Sequence, residues 1–165
     1  PNILACKQCR ELLQQLIDSG AKVDFTQGLD ARFITKDIAQ MLAQIKTKMW
    51  HFAFDFMKNE KAIMNGLKTF VKYSGYESRK RNCYVYVLTN YNTTFAEDYR
   101  RIELIRSVGL DPDVRIYRKN TAPQITKDLQ RWCNNRIIYR STPNFMDYVP
   151  HSNGKTIREI YFAGR

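Results

Sequence analysis

The chain has 165 residues, of which 27 are lysine or arginine and 16 are aspartate or glutamate, giving a net charge of +11. Apolar residues make up 44% of the chain, and only 7 glycines and 5 prolines occur. This composition excludes a disordered or collagen-like chain and suits one domain or a large part of one. No apolar run approaches the roughly 20 residues of a membrane-spanning helix, and no signal-peptide pattern opens the sequence.

The 4 cysteines are too few for a disulfide scaffold in a chain of this size. Reduced thiols and a cytoplasmic protein are therefore expected. Because the chain begins at Pro1 and not at a methionine, we interpret it as a piece cut from a longer protein.

The excess of positive charge favours an anionic partner, and a tRNA, a nucleotide or another protein would each satisfy it. The charge is shared by both halves of the chain and is not gathered in a basic tail. Its densest cluster is Arg79-Lys80-Arg81. We interpret that cluster as a solvated loop before a strand and not as a binding site.

Strand-like runs alternate with amphipathic helices at roughly the 30-residue spacing of a βαβ unit. An opening helix ends at Gly20, and strands are predicted at residues 22–26, 50–56, 83–89 and 113–118. Apolar residues spaced three and four apart predict four further helices, with stripes that contain Ile38 and Leu42, Ile63 and Leu67, Ile102 and Ile105, and Leu129 with Trp132 and Cys133.

Local signals mark several helix ends. Thr94 and Glu97 fit a capping box, in which each side chain accepts a hydrogen bond from the other's backbone. Gly75 and Gly109 follow helical patterns where a left-handed residue is needed. Pro112 is then expected to block continuation of the helix before it.

This alternation predicts an α/β fold with right-handed crossovers and a parallel sheet. Four units are too few to close an eight-stranded barrel. An open sheet and a segment of a barrel both remain possible on these grounds.

The strand faces favour the barrel segment. In the second strand, Trp50 and Phe52 lie on one side, whereas His51 and Asp55 lie on the other. A sheet with one face in water would explain the pattern, but this arrangement is unusual for parallel strands. A barrel lumen that holds a polar ligand is favoured, because ligands in parallel α/β folds bind at the carboxyl ends of strands, and the residues there are polar.

Common catalytic motifs are absent from the sequence. It has no phosphate-binding glycine loop and no G-x-S-x-G elbow. His51 is interpreted as a hydrogen-bonded interior residue, and His151 lies too far along the chain to suggest a shared metal site. Cys6 and Cys9 have metal-ligand spacing but no second pair, so buried free thiols are expected.

The run from Val23 to Arg32, VDFTQGLDAR, resembles a stretch of the bacterial radical S-adenosylmethionine iron–sulfur oxidoreductases. The resemblance continues through residues 52–55, 85–93 and 97–98 and ends around residues 132–148. It implies part of a (β/α)6 barrel, about four strands long and starting near the third strand. It also implies a partial TIM-type fold for residues 1–140. Residues 141–165 contain Pro143, Pro150, Asn153 and Gly154 and no lasting period, which predicts an irregular arm with a short strand or helix near 156–162.

Members of this family bind a four-iron four-sulfur cluster through a Cys-x3-Cys-x2-Cys motif. The cluster and S-adenosylmethionine together form a 5′-deoxyadenosyl radical. That motif would lie upstream of this chain, and Cys6 and Cys9 do not replace it. The resemblance therefore implies an inactive fragment without a cluster or bound cofactor. In the intact enzyme, its partners would be the preceding part of the barrel, a reductant protein and an anionic substrate such as tRNA or a peptide, with no membrane.

The family's cofactor-binding positions fall on the strand ends, and the resemblance assigns them to Thr26, Gln27, Gly28, Arg32, Asp55, Asn90, Asn92 and Tyr117. Asp55 would contact the ribose of S-adenosylmethionine and Tyr117 would lie near its adenine. Arg32 would bind a carboxylate, either that of the cofactor's methionine or an internal one from Asp30 or Asp55.

Two alternatives come from other protein classes. One is a non-catalytic basic α/β module that binds RNA or a nucleotide. The other is a doubly wound regulatory domain, which is disfavoured because no acidic cluster follows its first strand.

Overall fold

The computed structural model describes residues 2–77 and 82–163. Its strands are β1 (Val23–Asp24), β2 (Thr47–Ala53), β3 (Cys83–Thr89) and β4 (Asp111–Ile116). Its helices are α1 (Cys9–Ser19), α2 (Lys36–Gln44), α3 (Glu60–Tyr73), α4 (Phe95–Ser107), α5 (Gln124–Asn134), α6 (Arg136–Ser141) and α7 (Ile157–Tyr161). Short 3-10 helices occupy Ile3–Ala5, Ala31–Phe33, Met57–Asn59, Lys119–Thr121 and Phe145–Asp147.

The sheet is parallel and its strands follow the chain order β1-β2-β3-β4, which confirms the α/β class. Right-handed crossovers that always advance in the same direction place their helices on one face of a sheet. Burial agrees, since Cys83, Val85 and Val87 of β3 are buried while Tyr84 and Tyr86 between them are only half-buried. Within residues 2–77 and 82–163, the helices therefore cover one face of the sheet and leave the other face without a helix packed on it.

The strand bounds differ from those predicted. β3 is confirmed, but β1 has two residues where five were expected, because it pairs only with β2 and its register shifts between Val23 and Asp24. β2 begins at Thr47 and ends before Asp55. Pro112 lies inside β4 and does not precede it, since an edge strand tolerates a residue without an N–H.

The predicted helix ends are confirmed. Thr94 and Glu97 form the capping box of α4, and Gly75 and Gly109 have φ angles of 68° and 77°. Gly20 caps α1 in the left-handed conformation. The cluster Arg79-Lys80-Arg81 lies outside the described residues.

The two edges of the sheet are not alike. Asn134 of α5 bonds β4 through both amide atoms: its Oδ1 accepts from Val114 N at 2.8 Å, and its Nδ2 donates to Val114 O at 3.0 Å. Gln130 Nε2 donates to the same carbonyl. These side chains occupy the place of a further strand. At β1, Val23 N bonds Lys46 O just before β2, and Phe25 N bonds Met49 O in β2, so the backbone groups of Asp24 point to the outer edge.

The C-terminal residues pack against the helical layer. Phe145, Tyr148 and Ile157 belong to the core, and Trp132 and Cys133 are buried there as predicted. The carboxylate of Asp128 is only 2% exposed and accepts from Tyr161 Oη at 2.7 Å and from Gln124 Nε2 at 2.9 Å. Among residues 2–77 and 82–163, no helix is both long and apolar enough to cross a membrane.

Candidate functional site at the strand ends

Among the described residues, three that are not glycine adopt left-handed backbone conformations, and all three follow the carboxyl ends of strands. Asn90 and Asn92 follow β3 with φ angles of 61° and 53°, and Arg118 follows β4 with a φ of 47°. Such conformations carry a cost and cluster at functional sites. They mark this edge of the sheet as the candidate site.

Four of the residues expected at the site line one cavity of about 280 Å³ between the ends of β1 and β2: Gln27, Gly28, Arg32 and Asp55. Phe56 and Ile63 provide apolar walls. Thr26 lines an adjoining cavity of about 220 Å³. Gly28 has a φ of 79°, so its turn requires glycine because of its backbone conformation.

Arg32 pairs with Asp30, one of the internal carboxylates expected as its partner, and not with Asp55. Arg32 Nη2 donates to Asp30 Oδ2 at 2.6 Å and Arg32 Nε donates to Oδ1 at 2.9 Å. Hydrogen bonding to Arg32 lowers the pKa of Asp30 below its ordinary value, and burial opposes this shift. The pair gives the cavity one positive and one negative group side by side.

The pH dependence of stability should report this pair. Because folding lowers the pKa of Asp30, the pair stabilises the fold above the ordinary pKa of 3.8 and is lost as the pH falls from there through the folded pKa. Asp30→Asn should lower the free energy of unfolding by roughly 0.5–1 kcal/mol at neutral pH, discounted for the exposure of Arg32. Urea unfolding at several pH values checks this. An equal deficit at pH values well below 3.8 would contradict the assignment.

Asp55 links β2 to β3 at the cavity. Its Oδ1 accepts from Leu88 N at 3.2 Å, so one carboxylate oxygen has a structural role. Within the described part of the chain, its other oxygen has no hydrogen bond, and the side chain is half-buried at the cavity wall.

The remaining expected residues form a second group beside the cavity. Asn90 Nδ2 donates to Tyr117 O at 2.9 Å, which ties the ends of β3 and β4 together. The rings of Tyr91 and Tyr117 meet edge to face at 4.8 Å, and each residue is 38% exposed. The ring centre of Phe56 lies 6.3 Å from that of Tyr91, and Phe56 also lines the cavity, so it connects this group to the cavity. Asn92 is exposed and contributes its backbone turn.

Arg101 organises the strand ends, a role that no sequence motif indicates. Its side chain is fully buried. Its Nη1 donates to Phe54 O and Asp55 O, both at 2.7 Å, and its Nη2 donates to Leu88 O at 2.9 Å and to the Asp98 carboxylate. Burial raises the pKa of Asp98, and hydrogen bonds from Arg101 and from Asn90 N oppose that shift.

The helix-free face of the sheet carries polar and aromatic side chains that contact one another. His51 stacks on Tyr86 at 5.1 Å, and the guanidinium of Arg115 lies 5.0 Å above the Tyr86 ring. His51 Nδ1 lies 3.7 Å from Asp24 Oδ1. It has no hydrogen-bond partner among the described residues, so the predicted hydrogen-bonded histidine is wrong for this atom.

The cysteines have the character of core residues. Cys9, Cys83 and Cys133 are buried, Cys6 is partly buried, and all are free thiols. Burial raises the pKa of Cys9, Cys83 and Cys133. In the ranges 2–77 and 82–163, no three His, Cys, Asp or Glu side chains are grouped to hold a metal ion.

No family model, no curated protein and no solved structure matches this chain.

Proposed function

We propose that this chain forms the later strands of a radical S-adenosylmethionine barrel, with the cofactor and the substrate bound at the carboxyl ends of the strands. The observation that carries this proposal is the strand order. A doubly wound sheet reverses its order at a switch point, whereas β1 to β4 advance in one direction with one face free of helices. A segment of a partial barrel has this arrangement.

The edges of the sheet support the same proposal. The outer edge of β4 is occupied by Asn134 and Gln130, as suits the last strand of an incomplete barrel. At β1, the backbone of Asp24 faces outward, where an earlier strand would pair. The preceding barrel strands would therefore join beside β1.

The residues at the strand ends fit S-adenosylmethionine, which is a zwitterionic nucleoside. The cavity combines the Asp30–Arg32 ion pair, the carboxylate of Asp55 and the ring of Phe56. The ion pair can exchange partners with the amino and carboxylate groups of the methionine moiety. Asp55 can accept hydrogen bonds from ribose hydroxyls through its second oxygen, and Phe56 excludes water beside it.

The described residues do not fit an iron–sulfur cluster. Cys9, Cys83 and Cys133 are buried in the core, and the thiol of Cys6 contacts Asn2 O at 3.5 Å. In the proposed enzyme, the cluster would be held by residues outside this chain. The bound cofactor would supply a carbon radical that abstracts hydrogen from the substrate, and the chain's own residues would orient the cofactor and exclude water.

The test is made on the full-length protein that contains this chain. After anaerobic reconstitution with iron and sulfide and reduction with dithionite, the protein should convert S-adenosylmethionine into 5′-deoxyadenosine and methionine. Chromatography of the quenched reaction measures both products. A reconstituted protein that holds no cluster and forms neither product would refute the proposal.

Asp55→Asn in the same protein should weaken binding of S-adenosylmethionine by about tenfold, because a hydrogen bond to a charged group is lost. Asparagine keeps the oxygen that accepts from Leu88 N, so the fold is retained. Isothermal titration checks the affinity. Asp18→Asn on α1 is the matched control, since within the described ranges this exposed carboxylate bonds only Gln14. Equal affinity in all three proteins would remove Asp55 from the site.

A further inference from the structure

A groove of about 890 Å³ follows the outer stripe of α5. Four basic side chains line it: Lys119, Lys127, Arg131 and Arg136. Asp128 is the acidic residue in its wall, and its carboxylate is buried against Tyr161 and Gln124. The groove surface is therefore positive along its length.

These four cations are not neutralised within the described part of the chain, since none of them forms an ion pair there. Several exposed arginines elsewhere are paired, as Arg10 is with Asp37 and Arg100 with Glu60. Arg131 makes a long contact of 3.4 Å to Pro150 O, and the guanidinium of Arg136 lies 4.9 Å from the centre of the Tyr84 ring, so neither charge is neutralised by its contact. Unpaired cations along one groove attract an extended anion more strongly than scattered surface charges do.

The groove ends beside the candidate site. Lys119 lies two residues after Tyr117, and the guanidinium of Arg118 lies 5.3 Å from the Tyr117 ring. Tyr91 and Tyr117 are among the few large apolar side chains that are exposed in the described ranges. An extended row of cations followed by exposed aromatic rings is the combination that binds phosphates and unpaired bases together.

We propose that this groove binds a single-stranded segment of nucleic acid and presents one of its nucleotides to the strand ends. The phosphates lie along Lys119, Lys127, Arg131 and Arg136, and a base stacks on Tyr117. An acidic peptide would pair with the positive charges but has no base that could stack on the exposed aromatic rings. The proposal deepens the proposed function by naming the substrate class, and it rests on that function only for the chemistry at the strand ends.

Fluorescence anisotropy tests the binding with the 165-residue chain and a labelled single-stranded RNA of about 12 nucleotides, within the length that such sites cover. Single-stranded DNA of the same sequence and an oligoglutamate peptide are the other probes. Lys127→Gln with Arg131→Gln should weaken binding of the nucleic acid about tenfold and reduce the slope of log K against log salt by about 1.4. Lys61→Gln with Lys68→Gln on α3 removes the same charge elsewhere and should change both values much less.

Substitutions at Tyr117 provide a second test, because they change the affinity for the oligonucleotide without changing the charge of the groove. Tyr117→Ala should weaken binding about tenfold by removing the stacking surface, and Tyr117→Phe should restore it. Stronger binding of the RNA than of the DNA identifies RNA as the nucleic acid that the groove binds, and the reverse identifies DNA. The proposal is overturned if the α3 control loses as much affinity as the groove variant. It is also overturned if a duplex of the same sequence binds as tightly as the single strand, or if oligoglutamate binds more tightly than the single strand.

The two proposals fail separately. The anisotropy measurement requires neither a cluster nor S-adenosylmethionine, whereas formation of 5′-deoxyadenosine requires no nucleic acid. A protein that forms 5′-deoxyadenosine while the chain binds none of the oligonucleotides refutes the nucleic-acid groove alone. Binding that shows the expected dependence on Lys127, Arg131 and Tyr117, without formation of 5′-deoxyadenosine, refutes the proposed function and leaves the groove standing.

Discussion

Gly66→Ala is expected to lower the free energy of unfolding by about 3 kcal/mol or more, the upper part of the range for overpacking in a core. A Cβ at this position of α3 would lie 1.7 Å from Ala31 O and 2.6 Å from Ala31 C. The helix would have to move away from the 3-10 turn Ala31–Phe33. Because Asp30 and Arg32 flank Ala31, the cavity at the strand ends should open as well.

Helix propensity alone predicts that Gly66→Ala raises the free energy of unfolding. Replacing a glycine inside a helix by alanine stabilises it by about 1 kcal/mol when nothing obstructs the methyl group. Urea unfolding of Gly66→Ala therefore separates the two effects cleanly, and a gain in stability would contradict the close approach. Asn65→Ala at the neighbouring exposed position is the matched control and should change stability by no more than about 0.5 kcal/mol. Ala31→Gly should not rescue Gly66→Ala, because the obstructing atoms belong to the backbone.

Arg101→Met should cost about 3–5 kcal/mol of unfolding free energy, the range for a buried ion pair that loses one partner. Methionine fills much of the space but leaves the Asp98 carboxylate and the carbonyls of Phe54, Asp55 and Leu88 without their donor. Thermal and urea unfolding measure the loss. The ends of β2 and β3 should also separate, which hydrogen exchange at Leu88 N reports.

The neighbouring arginine offers a matched control. Arg100 bonds Glu60 on the surface, and Arg100→Met should leave the unfolding midpoint almost unchanged, because exposed pairs contribute little. Combining Arg101→Met with Asp98→Asn should recover part of the loss, since the uncompensated buried charge is removed. If Arg101→Met were as stable as Arg100→Met, Arg101 would not be the residue that holds the strand ends.

Local signals explain why much of the fold was predictable. The bounds of β3, the capping box of Thr94 and the left-handed glycines each depend on a few neighbouring residues, and each prediction is confirmed. The sequence pattern predicts a longer β1 than the structure has, because the length of this strand depends on pairing with a single neighbour. Pro112 was interpreted as a helix stop because the sequence does not show that β4 is an edge strand.

The candidate site was predictable as far as the strand ends. Polar residues after parallel strands predicted the edge at which Gln27, Gly28 and Asp55 meet. Arg101 was missed because an arginine on an amphipathic helix is ordinarily solvent-exposed, and its acceptors come from two other segments of the chain. The internal pairing of Arg32 with Asp30 depends on the conformation of the turn at Ala31, which no local sequence pattern indicates.

The hydrogen bonds from Asn134 and Gln130 to the outer edge of β4 also affect how this protein behaves at high concentration. The outer N–H and C=O groups of Val114, in the middle of β4, are bonded by Asn134 and Gln130, which interrupts the free backbone row through which sheets join between molecules and grow into fibrils. At the opposite margin, β1 is only two residues long, too short to template such growth. The helix-free face with His51 and Tyr86 can therefore stay open to solvent without making the molecule prone to aggregation.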